Sequence, residues 1–365
     1  MAAGERVLVA MSGGVDSSVA AALLVEQGYD VVGATMKLFC HDGDLPDRPC
    51  CSLDSVNDAR RVCHALGVPH YVLNLESAFG RDVVDDFVRE YAEGRTPIPC
   101  VRCNTFTKFR DLVAKANAID ARWIATGHYA RVVDGVLHRG LDHNKDQSYF
   151  LWGIDRAVLG RMILPVGSQT KAQTRAVAHR LGLEVVAEKR ESQDICFVPD
   201  GDHTKVIRQR LGADASSLAA GPFLLSDGTA VGTHDGHARF TIGQRRGLPG
   251  GFREPMFVVG IRPADRAVVI GPRAELLGRG LTARHLNWLV DAPHVGAVVG
   301  VQVRHRAPTV SATIVRLDGE EIELALDEPV AAITPGQSVV LYEGETVLGG
   351  GVIEGGKRQL PVRAA

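Results

Sequence analysis

Residues 12–18 read Ser-Gly-Gly-Val-Asp-Ser-Ser and stand between a short apolar run, Val7 to Met11, and a helical pattern from Asp16 to Gln27 closed by Gly28. A glycine-rich turn that leaves a buried strand and opens a helix constrains the fold more than any other stretch. The first turn of a helix carries backbone N–H groups with no partner inside the helix, and the aligned peptide dipoles put partial positive charge there. Two glycines permit positive φ and close approach of backbone to a ligand. Phosphate is the ligand that such a turn accepts. The plain alternative is a glycine turn with an Asp or Ser N-cap, available to any strand-to-helix junction. The two glycines, one acid and three serines exceed what a cap requires. The hydroxyls of Ser12, Ser17 and Ser18 can add donors, and Asp16 is a candidate Mg²⁺ ligand or organiser of the helix start. Neither G-x-x-x-x-G-K-S/T nor G-x-G-x-x-G is present. That argues against a Walker loop and against a dinucleotide dehydrogenase.

The pattern around the loop predicts a parallel α/β sheet. Val31–Leu38, His70–Leu75 and Trp123–Thr126 read as strands, and Ser52–Leu66, Phe79–Tyr91 and Phe106–Ala118 as helices. Such alternation implies right-handed βαβ units. Thr170-Lys171-Ala172-Gln173 is a capping box, and Gly182 ends the helix that it opens. Beyond about residue 205, helices become rare. Thr313–Leu317, Asp318-Gly319 and Ile322–Leu326 read as a hairpin. Val339–Tyr342 and Val347–Val352, around Glu343-Gly344-Glu345, resemble another. Small β modules follow, the last a barrel. The expected division is 1–205, a β-rich central part 206–275 and a barrel 276–365.

A chain of 365 residues accommodates two or three such domains. The balance of 41 Lys+Arg against 43 Asp+Glu excludes a polybasic tail, though not a local basic surface. Seven cysteines argue against a disulfide scaffold and for a reducing compartment. The stretch Met1–Arg6 is too short and badly flanked for a signal peptide, and no apolar run suffices to span a bilayer. The expectation is a cytoplasmic protein that does not engage a membrane.

Pro99-Cys100-Val101-Arg102-Cys103-Asn104 contains a C-x-x-C with no second pair, so a structural zinc site is not indicated. Cys196 stands in Ser192-Gln193-Asp194-Ile195-Cys196-Phe197, beside an expected strand. Taken alone, such a residue is more often a buried thiol than a nucleophile. Cys40, Cys50, Cys51 and Cys63 have irregular spacing and are assigned no chemistry.

The loop resembles the pyrophosphatase loop of the PP-loop ATP-pyrophosphatases, which cleave ATP to AMP and pyrophosphate and adenylate an oxygen of their substrate. MSGGVDSS, PCVRCNTFTKF, ATGHYAR, KDQSYFL, ESQDICFV and FTIGQRRGL, in this order, resemble the tRNA-specific 2-thiouridylases from about Val7 to Val352. The resemblance implies that residues 1–205 are a PP-loop catalytic domain. It implies an ATP-dependent tRNA sulfurtransferase that thiolates C2 of the wobble uridine of tRNA for Lys, Glu and Gln. It places ATP against Ala10, Met11, Ser12, Gly13, Gly14, Val15, Asp16 and Ser17, with Met36 and Gly127 at the adenine nucleotide, and Mg²⁺ as the accompanying ion. It makes Cys196 the persulfide carrier and Cys103 the second catalytic thiol. A cysteine desulfurase or a sulfur-relay protein would supply the sulfur.

Some members of that family carry Asp where this chain has Cys100, which puts a general-base role in doubt here. Cys100, Cys103 and Cys196 are also a possible ligand set for a [4Fe–4S] cluster, the alternative to a persulfide relay. By the same resemblance Ile98, Pro99 and Cys100 border the extruded base, since C2 is out of reach within a stack. His128, Lys145, Asp146 and Gln147 lie near tRNA, as do Arg304, His305 and Gln337. The plainer readings are a structural His, a solvated loop, an exposed pair of arginines and a turn residue after Pro335-Gly336. Gln244-Arg245-Arg246 is a further candidate for phosphate contact. Two other functions fit the loop: a different PP-loop ligase that needs no Cys196, and a tRNA-binding protein without turnover.

Overall fold

The computed structural model describes residues 4–39, 53–189, 195–198 and 200–357. They form two compact units. The first runs through Val83 and includes Cys100–Gly201 and Glu345–Leu348, while the second takes Val84–Pro99, Asp202–Gly344 and the chain from Gly349 onward.

The first unit is built on a parallel sheet. Its strands are β1 (Arg6–Ala10), β2 (Asp30–Lys37), β3 (His70–Asn74), β4 (Trp123–Ala125) and, after the hairpin β5 (Ala130–Val133) and β6 (Val136–Arg139), the short β7 (Met162–Ile163). The order is β3-β2-β1-β4-β7, with every pair parallel. Val7, Leu8 and Val9 of the central β1 have no exposed surface. A strand bonded on both edges and covered on both faces is apolar without alternation, which is how β1 reads. Helix α1 (Val15–Glu26) is buried along most of its length, from Val15 to Leu24. It packs with the helix Lys171–Arg180, whose Val177 and Ala178 join its core. The capping box is formed at Thr170, and Thr170 N donates to Gln173 Oε1 at 2.7 Å. Helix α2 (Leu53–Ala65) covers the sheet through Ala59, Val62 and Cys63.

Two helices differ from the sequence reading. The expected helix over 79–91 spans Glu76–Ala92, with a π-helical turn at Gly80–Val84. The expected helix from Phe106 begins at Pro99, with a π-helical turn at Cys103–Lys108 before Phe109–Ala118. The C-x-x-C therefore lies inside a helix. Pro99 needs no N–H donor in a first helical turn, so it opens the helix instead of breaking it. The extra residue of a π turn disrupts the apolar period by which the helix would have been read.

The second unit is mostly β, with one further helix, His203–Leu211. Strands β8 (Ala220–Leu225), β9 (Ala230–Asp235), β10 (Met256–Arg262) and β11 (Ala267–Pro272) form a sheet in the order β10-β11-β8-β9. Phe223, Phe240, Val258, Val268 and Ile270 form its core. Strands β12 (Leu277–Trp288), β13 (Val298–Gln302), β14 (Val310–Leu317), β15 (Glu321–Ala331), β16 (Ser338–Glu343) and β17 (Thr346–Lys357) follow in the order β12-β15-β14-β13-β16-β17. Pairing of β12 with β17 closes them into a six-stranded barrel. The Asp318-Gly319 turn joins β14 to β15 as the sequence predicts, with Asp318 N donating to Glu321 O at 3.1 Å. No helix among the described residues is long and apolar enough to cross a membrane.

Two histidines of this unit, His234 and His237, are buried, and a third, His203, is half-buried. The His203 ring stacks on Tyr91 at 4.2 Å and hydrogen-bonds Ala238 O at 2.7 Å. His237 Nε2 donates to Ala92 O at 3.0 Å, and His234 packs edge-on against Phe223. Burial pushes all three below the ordinary 6.5. Near that pH the unfolded chain takes up protons that the folded chain refuses. Stability is therefore full above the unfolded value and is lost as pH falls through it. The thermal midpoint should stay level from about pH 8 to 7 and drop between about 6.5 and 5.5, while carboxylates remain ionised. Calorimetry over that range checks this, and a level or rising midpoint below pH 6.5 would overturn it.

Candidate active site

The loop after β1 lies at the carboxyl edge of the parallel sheet. β2 flanks β1 on one side and β4 on the other, so the chain reverses direction of winding at this point. Such a switch point leaves a crevice in which ligands bind. Met36, at the end of β2, and Gly127, just past β4, stand at the same edge. The sequence-predicted nucleotide residues are thus gathered from three neighbouring strands.

Within the loop, Gly14 is the N-cap of α1, with no side chain capping the helix. The Asp or Ser cap of the plain reading is not formed, and first-turn N–H groups are left for a ligand. Gly13 has φ +71°, and a Cβ there would stand 2.1 Å from Ser55 O, so only glycine fits. The serines divide differently from expectation. Ser18 is fully buried and its Oγ donates to Gly14 O at 2.8 Å. Ser17 Oγ lies 3.1 Å from Gly14 O and accepts from Ser12 N at 3.1 Å, while Ser12 is exposed. The Ser18 hydroxyl therefore shapes the turn and is not offered to a ligand. Gly127 touches the same turn: a Cβ on it would be 2.5 Å from Ser17 N.

Two lysines and a tyrosine, none singled out for a role from sequence, converge on this loop. Lys171 Nζ bonds both oxygens of Asp16, at 2.7 and 2.9 Å. Tyr129 Oη lies 2.9 Å from Asp16 Oδ1 and 2.9 Å from Thr174 Oγ1. Lys189 Nζ donates to Gly13 O at 3.1 Å and pairs with Asp58 at 2.8 Å. Lys171 and Tyr129 fall inside stretches that the sequence marks for other reasons, a capping box and the ATGHYAR run. Their common target becomes visible only in three dimensions. Asp16 keeps a partly exposed carboxylate at the mouth of the glycine turn, which would suit one ligand of a Mg²⁺ ion held mainly by phosphate and water.

The thiols come next. Cys103 is buried, Cys196 half-buried and Cys100 exposed. The short segment Glu76–Phe79 touches both catalytic candidates' surroundings. The π turn that begins at Cys103 packs beside it. Phe197, the neighbour of Cys196, meets Phe79 edge-on at 5.7 Å. Ser192, Gln193 and Asp194 lie outside the described residues, as do Cys40, Cys50 and Cys51. Among the described residues, no group of three or more His, Cys, Asp or Glu side chains is gathered to hold a metal. Cys100, Cys103 and Cys196 are all described, so the donor set for an iron–sulfur cluster is not assembled. Burial pushes the Cys63 thiol up to about 11, which keeps it inert.

His128 Nδ1 lies 2.7 Å from Thr126 Oγ1, and its ring faces Phe109 at 6.1 Å. Burial, with a smaller effect of the Lys108 charge, pushes His128 down to about 3. It is therefore a neutral hydrogen-bonding group, not a cation for phosphate. Lys145 is half-buried, with its N donating to Asp142 O at 2.9 Å. Asp146 is buried, not solvated. Its carboxylate accepts from Gly140 N and Ser148 N and pairs with Arg139. Gln147 Oε1 accepts from Tyr129 N at 2.9 Å. The 145–147 stretch thus supports the backbone that carries Tyr129.

In the second unit, Gln337 Nε2 donates to Thr96 O at 2.9 Å, and Thr96 N donates to Pro335 O at 2.9 Å. These bonds hold the short run that leads to Ile98, half-buried, and Pro99, buried. Arg304 and Arg306 are exposed and His305 half-buried in the loop between β13 and β14. Arg245 and Arg246 are exposed in a loop ahead of β10.

Family models described as a tRNA methyl transferase HUP domain, a tRNA methyl transferase PRC-barrel domain and an aminomethyltransferase beta-barrel domain match residues 5–200, 211–272 and 278–353. The chain is 45% identical over 361 residues to the tRNA-specific 2-thiouridylase MnmA of Geobacter metallireducens, covering 96% of this chain and 97% of the relative. It is 45% identical to the protein of that name from Carboxydothermus hydrogenoformans, at 96% and 98% coverage. The counterpart from Rhodospirillum centenum is 46% identical, at 95% and 91%. Among solved structures, the NMN synthetase from Francisella tularensis matches with TM-score 0.35 and 17% identity, over 57% of this chain and 78% of that one. A 4-thiouridine synthetase in an RNA complex with bound ATP matches with TM-score 0.32 and 15% identity, over 57% and 54%.

Proposed function

Because the chain belongs to the family of tRNA-specific 2-thiouridylases, we propose that it uses ATP to convert the wobble uridine of tRNA for Lys, Glu and Gln into 2-thiouridine. The observation that carries this is identity near 45% over 96% of the chain, spanning both units. The parts of this reading are a catalytic domain 1–205, a central domain 206–275 and a barrel 276–365, proposed on the sequence pattern.

The C2 carbonyl of uracil is a poor electrophile. In the first step its oxygen attacks the α-phosphorus of ATP and the N3 proton leaves to solvent. The bond from that phosphorus to the bridging oxygen breaks, and its electron pair departs with pyrophosphate. The open N–H groups at the start of α1, with Ala10 to Ser17, are suited to hold the phosphates. Met36 and Gly127 border the nucleotide. Asp16 would hold Mg²⁺ together with phosphate, and the ion would neutralise developing charge.

In the second step a persulfide on Cys196, charged by a cysteine desulfurase or a relay protein, attacks C2 and displaces AMP. The uridine is then joined through sulfur to Cys196 Sγ. The Cys103 thiolate attacks that Sγ, the sulfur–sulfur bond to the uridine breaks, and thiouridine leaves with its sulfur. A Cys103–Cys196 disulfide remains for a cellular thiol reductant, which fits a cytoplasmic setting. Ile98, Pro99 and Cys100 would border the extruded base. His128, Lys145, Asp146, Gln147 and Gln337 would contact tRNA or support the groups that do. Arg304 and His305 would reach phosphate.

The test is direct. The protein is incubated with ATP, Mg²⁺, a sulfur donor and unmodified tRNA-Glu, and the digested RNA is read by mass. 2-Thiouridine, with one AMP per product, is expected. AMP release to ammonia or an amine without thiolation would favour another PP-loop ligase, and tRNA binding without AMP would favour a protein that only binds.

A further inference from the structure

Asp16 and Gly13 receive ammonium groups from two distant points in the chain. Lys171 lies 155 residues from Asp16, and Lys189 lies 176 from Gly13. The Lys171 side chain is only 12% exposed and takes both carboxylate oxygens of Asp16. An ion pair that merely fastens two helices adds little where they are already joined by an apolar core. Here α1 and the helix Lys171–Arg180 share Val19, Ala20, Val177 and Ala178. The ammonium is instead delivered to the mouth of a turn whose helix lacks a side-chain cap.

Charge gives the reason. Pyrophosphate carries several negative charges, and the helix terminus supplies only about half an elementary charge. Lys171 pairs with Asp16, and Lys189 pairs with Asp58, which Arg61 also contacts. The two ammonium groups thus stand beside the turn that a polyanion would enter. Lys171 is held ready by its own backbone as well. It is the first residue of its helix, its N donates to Asp142 Oδ2 at 3.0 Å, and its Nζ lies 5.6 Å over the Tyr129 ring.

We propose that Lys171 and Lys189 are catalytic residues of adenylation that bind the departing pyrophosphate. This rests on the reading that the chain adenylates its substrate with ATP. As the bond between the α-phosphorus and the bridging oxygen breaks, the electron pair and its charge collect on pyrophosphate. The two ammonium groups donate hydrogen bonds to that charge and lose no proton. Neither oxidant nor reductant is involved.

The test uses the full chain and inorganic pyrophosphate as the probe, titrated by calorimetry with magnesium present, and AMP as the companion ligand. Lys171→Met and Lys189→Met should each weaken pyrophosphate binding by about tenfold or more while AMP binding holds. Lys171→Arg should retain most of the affinity. The double variant Asp16→Asn/Lys171→Met, compared with Asp16→Asn alone and titrated without magnesium because Asp16 is the proposed metal ligand, separates contact from mere balance, and it should remain weak. Recovery of pyrophosphate binding in that double variant would show that Lys171 only neutralises Asp16, and would overturn its assignment. Unchanged pyrophosphate affinity in both methionine variants would overturn the whole proposal. Thermal midpoints accompany the titrations, and Lys189→Met carries the test if Lys171→Met does not fold. Thiolation is scored separately. A protein that binds pyrophosphate through these lysines but makes no thiouridine loses the functional reading and keeps this one.

Discussion

Cys196→Ser is expected to bind ATP and tRNA as the parent protein does and to yield no 2-thiouridine above background, a loss of roughly three orders of magnitude or more. A serine oxygen cannot carry a transferable sulfur, whereas the exchange of one small side chain for another disturbs little around it. Phe197 and Val198 are buried beside position 196 and keep the local backbone in place. The relay reading also separates its two thiols. Cys103→Ser should still accept sulfur at Cys196, seen as protein heavier by one sulfur atom after incubation with the donor, and should stall before release of product. Cys100 is exposed, and Cys100→Ser should retain thiolation within a fewfold of the parent. Undiminished product from Cys196→Ser would end the persulfide mechanism for this chain. Equal loss in Cys100→Ser and Cys103→Ser would instead make Cys100 a working thiol.

Gly127→Ala should weaken ATP binding by about tenfold to a hundredfold, or about 1.4 to 2.7 kcal/mol. The cause is space, since an added Cβ would sit 2.5 Å from Ser17 N and 2.6 Å from Asp16 C. Those are main-chain atoms of the first turn of α1, and that turn cannot retreat. Val15, Ser17, Ser18 and Val19 are all buried behind it. The methyl group must push apart the chain after β4 and the glycine turn, and the N–H groups at the start of α1 lose their common aim. Gly160→Ala is the control, since nothing lies within 4 Å of its added Cβ. Calorimetric titration with a non-hydrolysable ATP analogue compares the two variants. Equal affinities would remove Gly127 from the nucleotide site.

Local causes made much of the first unit readable. The strand–turn–helix at residues 7–27 follows from an apolar run, two glycines and an apolar helix, all within one stretch. The Thr170 box and the Asp318-Gly319 turn are likewise written in neighbouring residues, and both form. The resemblance supplies candidate site residues that no local pattern could. What stayed hidden depends on contacts across long separations. The grip of Lys171 on Asp16 and the bond of Gln337 to Thr96, 241 residues away, have no signature in spacing. For Asp146 the resemblance offers a place near tRNA and the plainer reading a solvated loop, and neither foretells its burial, because charge usually means exposure. Its carboxylate is consumed by two backbone N–H groups and an arginine, which makes burial tolerable. The start of the helix that holds the C-x-x-C is hidden because its π turn breaks the period by which helices are recognised.

That turn, Cys103–Lys108, makes chain length itself part of what sets the bearing of the Cys103 thiol. Each residue advances an α-helix by roughly 100°. Losing one residue between Cys103 and Phe109 would allow an ordinary helix to form, and would swing the thiol around the axis away from its present bearing. The bulge therefore acts as an indexing pin. Substitutions along it can be absorbed one at a time, while an insertion or deletion there would re-aim the sulfur even if every named residue were kept.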